Sequence, residues 1–272
     1  MDFSIAERIN MFYFSIVSLV SLFFPLPFRR RAVAIAIGVF GIAACIFLAA
    51  SPVLFPERTA LLLREWMPAA LILVAYHQSG RLFSRPWARF QAMLMECDRR
   101  LLGRFSRGSE PIRISTFWRV YLEVSYLICY PLVPAALGVL ILLNFQEGIE
   151  EFWTVVLTST YACYALVPFL PAFPPRLLQA EEGKRSYSGK ARALNEWLLR
   201  YGSIQANTFP SAHVASCTAA SLVLFRYDAG FGAAFFWATL SIASAVVIRR
   251  YHYLADAVTG LALPVILFLL LS

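Results

Sequence analysis

The sequence is poor in charge, in lysine and in paired cysteine. Only 15% of its 272 residues are Asp, Glu, Lys or Arg, while 60% are hydrophobic. A soluble domain carries roughly a quarter charged residues and about half apolar ones. That shortage excludes a disordered chain and an ordinary cytosolic enzyme. Cys45, Cys97, Cys129, Cys163 and Cys217 stand singly, four of them inside apolar runs, without the short spacings of a zinc or redox motif. They exclude a secreted disulfide scaffold and read as small buried hydrophobes. No internal repeat or low-complexity tract is present. The net charge of +8 rests almost wholly on arginine, since Lys184 and Lys190 are the only lysines. In so apolar a chain that excess reads as membrane sidedness and anionic ligands, with no role in nucleic-acid binding.

What the chain does contain is uncharged runs long enough to cross a ~30 Å hydrocarbon core. Residues 9–28, 32–56, 124–146, 152–175 and 229–248 each supply one. The run 66–80 is shorter and follows Arg64 and Glu65; the runs 212–225 and 257–271 are short but continue from polar motifs. Polar segments are tolerated at membrane depth when they line a cavity. The expectation is an all-α, polytopic transmembrane helical bundle of eight spans, or seven if 66–80 does not cross. The first run follows Asp2, Glu7 and Arg8 and lacks a small-residue cleavage site, so it reads as a retained span. The chain reads as a single integral membrane domain over 1–272, divided into spans plus an amphipathic segment (1–115) and a helical core (116–272).

Between the third and fourth spans, residues 81–115 are rich in arginine. From Trp87 to Phe105 the apolar positions recur at helical spacing, which predicts an interfacial amphipathic helix near 87–105. An interfacial anchor is the preferred reading and lipid recognition the alternative. Lys184, Arg185, Lys190 and Arg192 read as a solvated basic loop, and His77 as packing at a span end. Trp66, Trp87, Trp118, Trp153 and Trp197 read as interface and packing residues. With eight spans, 20 of the 24 cations fall on one side and Arg8, Arg58, Arg64 and Arg226 on the other. The positive-inside rule makes the rich side cytoplasmic.

Three polar motifs fall at that same face: 171–176 (Pro-Ala-Phe-Pro-Pro-Arg), 208–213 (Thr-Phe-Pro-Ser-Ala-His) and 249–256 (Arg-Arg-Tyr-His-Tyr-Leu-Ala-Asp). His252 and Asp256 are four apart, one helical turn on one face. A carboxylate there takes the proton of one imidazole nitrogen and leaves the other unprotonated, as a nucleophile or base requires. His213 is a second imidazole, available as proton donor to a leaving group. Arg176, Arg249 and Arg250 offer forked donors to phosphate oxygens. Pro210 and Ser211 open a helix whose N–H groups form an anion site, with the Ser211 hydroxyl as a further donor. The bland readings are membrane-interface histidine for His252, a helix N-terminal acid for Asp256, and snorkelling anchors for Arg176, Arg249 and Arg250.

Pro-Ser-Ala-His at 210–213 followed by His-x-x-x-Asp at 252–256, each before an apolar helix, resembles the type 2 phosphatidic acid phosphatase and haloperoxidase superfamily. With Phe-Pro-Pro-Arg-Leu-Leu at 173–178, the chain is most similar to its inositolphosphotransferase branch, which includes inositol phosphorylceramide synthases. The likeness covers roughly residues 150–270. It implies that His252 attacks phosphorus to give a phosphohistidine, that Asp256 orients it, and that His213 protonates the leaving alcohol and activates the acceptor. Arg176 and Ser211 would hold phosphoryl oxygens, with no metal and no cofactor. The implied partners are a membrane phospholipid or lipid phosphate, with water or a lipid hydroxyl as acceptor. The superfamily also places its site on the extracytoplasmic face, against the arginine count. The pattern departs at Phe169, where a lysine is usual, at Ala212, where glycine is usual, and at Ala245 and Val246, where a Ser-Arg pair is usual. The branch lacks that arginine too, and Arg249 or Arg250 would replace its charge. The rival reading is a catalytically inactive membrane protein that binds or transports anionic lipids.

Overall fold

The structure is a computed structural model that describes residues 2–103, 115–179 and 189–271. Its helices are α1 (Ile5–Phe23), α2 (Phe28–Leu54), α3 (Glu57–Gly80), α4 (Ala88–Leu102), α5 (Thr116–Leu142), α6 (Gln146–Ala165), α7 (Pro175–Gln179), α8 (Lys190–Gly202), α9 (Ala212–Tyr227), α10 (Ala229–Ile248) and α11 (Leu254–Leu271). No strand occurs among the described residues. The all-helical expectation holds. Local signals account for the boundaries. Ser4 and Glu7 form a capping box at the start of α1, and Asp228 accepts from the Phe231 N–H to open α10. Pro27 and Pro56 separate α1–α3 into tight antiparallel neighbours.

Six helices, α1, α2, α3, α5, α10 and α11, are long and apolar enough to cross a membrane. Their exposed side chains are themselves large and apolar, as at Phe12, Val53, Leu142, Trp237 and Leu269, which suits a lipid surrounding. The other two expected spans, α6 and α9, form as helices but fall below that mark. Both sit in the middle of the bundle, α6 against α1, α3, α5, α9 and α11, and α9 against α5, α6, α10 and α11. Eleven of the sixteen residues of α9 are buried, so its composition answers to packing. Small Ala, Ser, Thr and Cys side chains let neighbouring helices approach. Thr218 and Ser221 return their hydroxyls to the carbonyls of Val214 and Cys217 at 2.8 Å.

Several expected boundaries shift, each for a physical reason. The short third run is the end of a 24-residue helix, α3, which carries Arg58, Arg64 and Glu65 within it. It tolerates Arg64 because Glu7, 1% exposed on α1, accepts from its Nε at 2.8 Å and from Nη2 at 3.0 Å. α5 begins at Thr116, ahead of the uncharged run, since Glu123 is paired inside the protein. The fifth run is helical only to Ala165, because Pro168, Pro171, Pro174 and Pro175 end it in an irregular stretch. Lys190 and Arg192 belong to a helix, α8, where a solvated loop was expected. Lys184 and Arg185 lie outside the described residues, as do the last residues of the 87–105 segment, whose helix is α4.

α4 is more than an anchor. Its Gln91 side chain accepts from the Phe173 N–H at 2.7 Å and donates to the Tyr253 hydroxyl. Its Asp98 accepts from the Leu254 N–H, opening α11, and from Arg250 Nη1, each at 2.9 Å. α4 thus ties the 171–176 stretch to the 249–256 stretch.

Candidate active site

The ends of α3, α6, α8 and α10 and the starts of α9 and α11 meet around one cleft. Arg176, His213 and His252 all line it, with Tyr76, Tyr126, Thr208, Ser203 and Tyr251 among the other walls. The three residues come from three separate stretches of the chain, and chain reversals bring them to one rim of the bundle.

His252 enters from the turn between α10 and α11. The Val246 carbonyl accepts from the N–H groups of Tyr251 and His252, each at 2.8 Å, which folds the turn back on α10. His252 Nδ1 faces Asp256 Oδ2 at 3.2 Å, leaving Nε2 as the free nitrogen of a ring that borders the cleft. Asp256 is fully buried. The same Oδ2 accepts from the Tyr253 N–H at 2.9 Å and from the Asn207 amide at 2.9 Å. Three donors on one oxygen hold the carboxylate in place, the arrangement that fixes an imidazole tautomer. Asn207 had no signal in the sequence; it is a polar residue in a loop whose contact spans 49 positions.

His213 is the second residue of α9. Its ring lies 6.2 Å from that of His252, centroid to centroid, at 76°. Tyr126 and Tyr130 meet it edge-on at 5.8 and 5.6 Å, and its Nδ1 is 3.6 Å from Cys129 Sγ. α9 starts at this cleft because Thr208 Oγ1 accepts from the Ala212 N–H at 3.3 Å and the Asp256 carbonyl accepts from the Ser211 N–H at 2.9 Å. The N–H groups of its first turn have no intrahelical carbonyl to bond, so the positive end of the helix borders the rings. Ser211 is buried, its Oγ has no hydrogen-bond partner, and it lies behind the cleft wall without lining it. Gly260 of α11 explains how the two helices come so close: a Cβ there would sit 2.8 Å from the Ser211 carbonyl.

Arg176, on α7, donates to Ser203 Oγ at 3.1 Å and to Gln205 Oε1 at 3.4 Å, both neutral. Burial lowers its pKa from the ordinary arginine value, partly offset by surrounding tyrosines. Arg176 meets no carboxylate among the described residues, and a desolvated guanidinium in that setting is an anion site by its chemistry. The two other expected phosphate-binding arginines are placed elsewhere. Arg249 Nε donates to Glu123 at 2.6 Å and Arg250 to Asp98, and neither lines the cleft. A buried carboxylate is a stronger partner than the cleft offers, so the side chains that follow α10 turn to α5 and α4. Glu123 also accepts from Asn195, Tyr251 and Arg192, which anchors α8 beside the site. Phe169 packs edge-on against Phe24, so no cation stands there, and Ala245 and Val246 are buried in α10. His77 makes an edge contact with Tyr76 and does not line the cleft.

The model of one family, the PAP2 superfamily, matches residues 92–270, from within α4 to the end of α11. No curated protein and no solved structure matched the chain. The match contains every residue of the constellation built above, and it covers well over half of the sequence. The chain therefore belongs to the PAP2 superfamily.

Proposed function

We propose that the protein is an integral membrane enzyme that moves a phosphoryl or phospho-headgroup unit on a lipid through a phosphohistidine, as the inositolphosphotransferase branch does. One observation carries this reading: a histidine with one nitrogen held by a buried carboxylate shares a cleft with a second histidine and an unneutralised arginine.

In the first step His252 Nε2 attacks phosphorus and the bond to the leaving alkoxide breaks, while His213 gives that oxygen a proton. In the second step His213, now neutral, takes a proton from the acceptor hydroxyl, which attacks phosphorus and releases His252. The two imidazoles lie close together, with ring centroids 6.2 Å apart, so both serve a single phosphorus centre bound at the cleft, the positioning on which such transfer depends. Arg176 and the N-terminal end of α9 face the charge on the equatorial oxygens, where most of the catalysis in phosphoryl transfer arises. Asp256 balances the charge that His252 acquires. If water is the acceptor the enzyme is a lipid phosphatase, and if a lipid hydroxyl is, a phosphotransferase.

The reading is tested by incubating purified protein with phosphatidic acid or phosphatidylinositol, with and without ceramide or diacylglycerol. Released phosphate or a new lipid is expected from the wild type, with an acid-labile phosphoprotein trapped at early times and absent in His252→Ala. Full turnover by His252→Ala would remove the covalent step. Lipid binding without turnover in the wild type would leave the non-catalytic lipid-binding role. We place the site rim on the cytoplasmic side, where the arginine count puts it. An impermeant thiol reagent applied to intact cells should spare a cysteine introduced at Arg29, and labelling there would reverse the orientation.

A further inference from the structure

The family match leaves α1–α3 without a task, yet two arginines from that part of the chain border a second groove next to the cleft. Arg30, at the start of α2, and Arg81, just after α3, line it with Ser84, Phe173, Ile204 and Gln205; its volume is about 320 Å³ and it is open to solvent. The two clefts share a partition made of two backbone stretches. Along one, Pro174 faces the catalytic cleft and Phe173 the groove; along the other, Ser203 and Ala206 face the cleft while Ile204 and Gln205 face the groove.

Gln205 links the two. Its Oε1 accepts from Arg176, and its Nε2 donates to the Leu199 carbonyl at 2.7 Å. It holds a positive φ of 57°, an uncommon conformation for a residue with a Cβ, kept only where its surroundings enforce it. Ile204 is fixed from the other side, where its side chain lies so near Gly80 that a Cβ there would meet it at 2.4 Å.

The arginines of this rim differ in what they bond. Arg31 is used up inside the protein, donating to the carbonyls of Ser21 and Phe24. Among the described residues Arg30 donates once, to the Phe83 carbonyl at 3.0 Å. The Arg81 side chain makes no hydrogen bond or ion pair among the described residues. Two guanidiniums with most of their donors unspent, beside a serine hydroxyl and an amide, match phosphate or carboxylate oxygens.

Resting on the function proposed above, we propose that this groove is a second anion subsite: it holds an acidic group of the lipid headgroup other than the phosphoryl unit at His252. In this arrangement the headgroup on Arg176 extends over the rim that Gln205 forms between the two hollows, and lipids with two anionic groups are favoured over those with one. The N-terminal helices thereby supply substrate selection, and the matched region supplies the chemistry.

The test uses the full chain in detergent and a matched pair of short-chain lipids, dioctanoyl phosphatidylinositol 4-phosphate and dioctanoyl phosphatidylinositol, which differ by one phosphate. Equilibrium binding to the wild type should favour the former by about tenfold, the scale of one added charge-assisted contact. Arg30→Gln/Arg81→Ala should abolish that preference and leave phosphatidylinositol binding unchanged. The inference is overturned if no preference exists, or if it survives the double substitution. It is also overturned if inorganic phosphate loses as much affinity as the lipid, which would mark a free-anion site. Binding is read without turnover, so an inactive wild type would overturn the enzymatic proposal and leave this outcome legible.

Discussion

Asn207 donates its amide to Asp256 Oδ2 at 2.9 Å, the same oxygen that faces His252 Nδ1 at 3.2 Å. Asn207 and Asp256 are both buried and come from the two sides of the site, so the amide steers the carboxylate that steers the histidine. A hydrogen bond to a charged group contributes about 1.5–3 kcal/mol. Asn207→Ala should therefore lower kcat by roughly tenfold to a hundredfold with KM nearly unchanged, since Asn207 does not line the cleft. A loss confined to KM would remove the positioning role. Asn207→Asp should be worse, because it places a second carboxyl against Asp256 in a buried setting.

Arg176 and Arg250 should separate cleanly. Arg176 has neutral partners and lines the cleft, so Arg176→Lys, which keeps charge but loses the fork, should cost about 10²-fold or more in kcat/KM. Arg250→Ala removes a pair with Asp98 on α4. Its effect should appear in thermal stability, with kcat/KM changed only a few-fold. Equal kinetic losses in the two variants would bring Arg250 back to the phosphoryl group.

The structure gathers Arg176, His213 and His252, all marked in the sequence, around one cleft. His213, His252, Asp256 and Arg176 were marked because polar residues abutted apolar runs where burial is costly, and because four-residue spacing is a helical turn. The same reasoning marks Arg249 and Arg250, which the structure pairs with carboxylates away from the cleft. An arginine beside a motif looks identical whether it faces a ligand or a carboxylate, and Glu123 and Asp98 sit 126 and 152 residues away in the chain. Asn207 was invisible for the same reason. The bundle was legible through its apolar runs, 212–225 among them, and α9 forms there although it falls short of the length and hydropathy of a membrane span, its buried positions being filled by small side chains. α8 was missed because its buried contacts, Asn195 and Arg192 with Glu123, are long-range and polar.

Chelation offers a further check. The proposed two-histidine mechanism routes no step through a metal. Excess EDTA followed by gel filtration should leave turnover intact. Loss of activity restored by a divalent cation would demand a different mechanism.

Glu123 provides the sharpest stability test. It is wholly buried on α5, yet it accepts from Arg249 Nε and Tyr251 Oη at 2.6 Å, from Asn195 Nδ2 at 2.6 Å and from Arg192 Nη1 at 3.3 Å. Removing one partner of a buried ion pair costs about 3–5 kcal/mol, because the remaining charge stays desolvated. In Glu123→Ala two arginines lose their acceptor at once; Arg192 keeps Glu196 at 2.7 Å, while Arg249 keeps no other carboxylate contact among the described residues. Glu123→Gln preserves shape and one acceptor, and Arg249→Met leaves Glu123 neutralised by Arg192. Thermal unfolding in detergent should thus rank Glu123→Ala as most destabilised, then Glu123→Gln, then Arg249→Met. Because Glu123 also holds Tyr251 on the cleft wall and Asn195 on α8, Glu123→Ala should lower kcat and expose the 190–202 helix to limited proteolysis. An Arg249→Met variant as unstable as Glu123→Ala would mean that Arg249, not the carboxylate hub, carries the network.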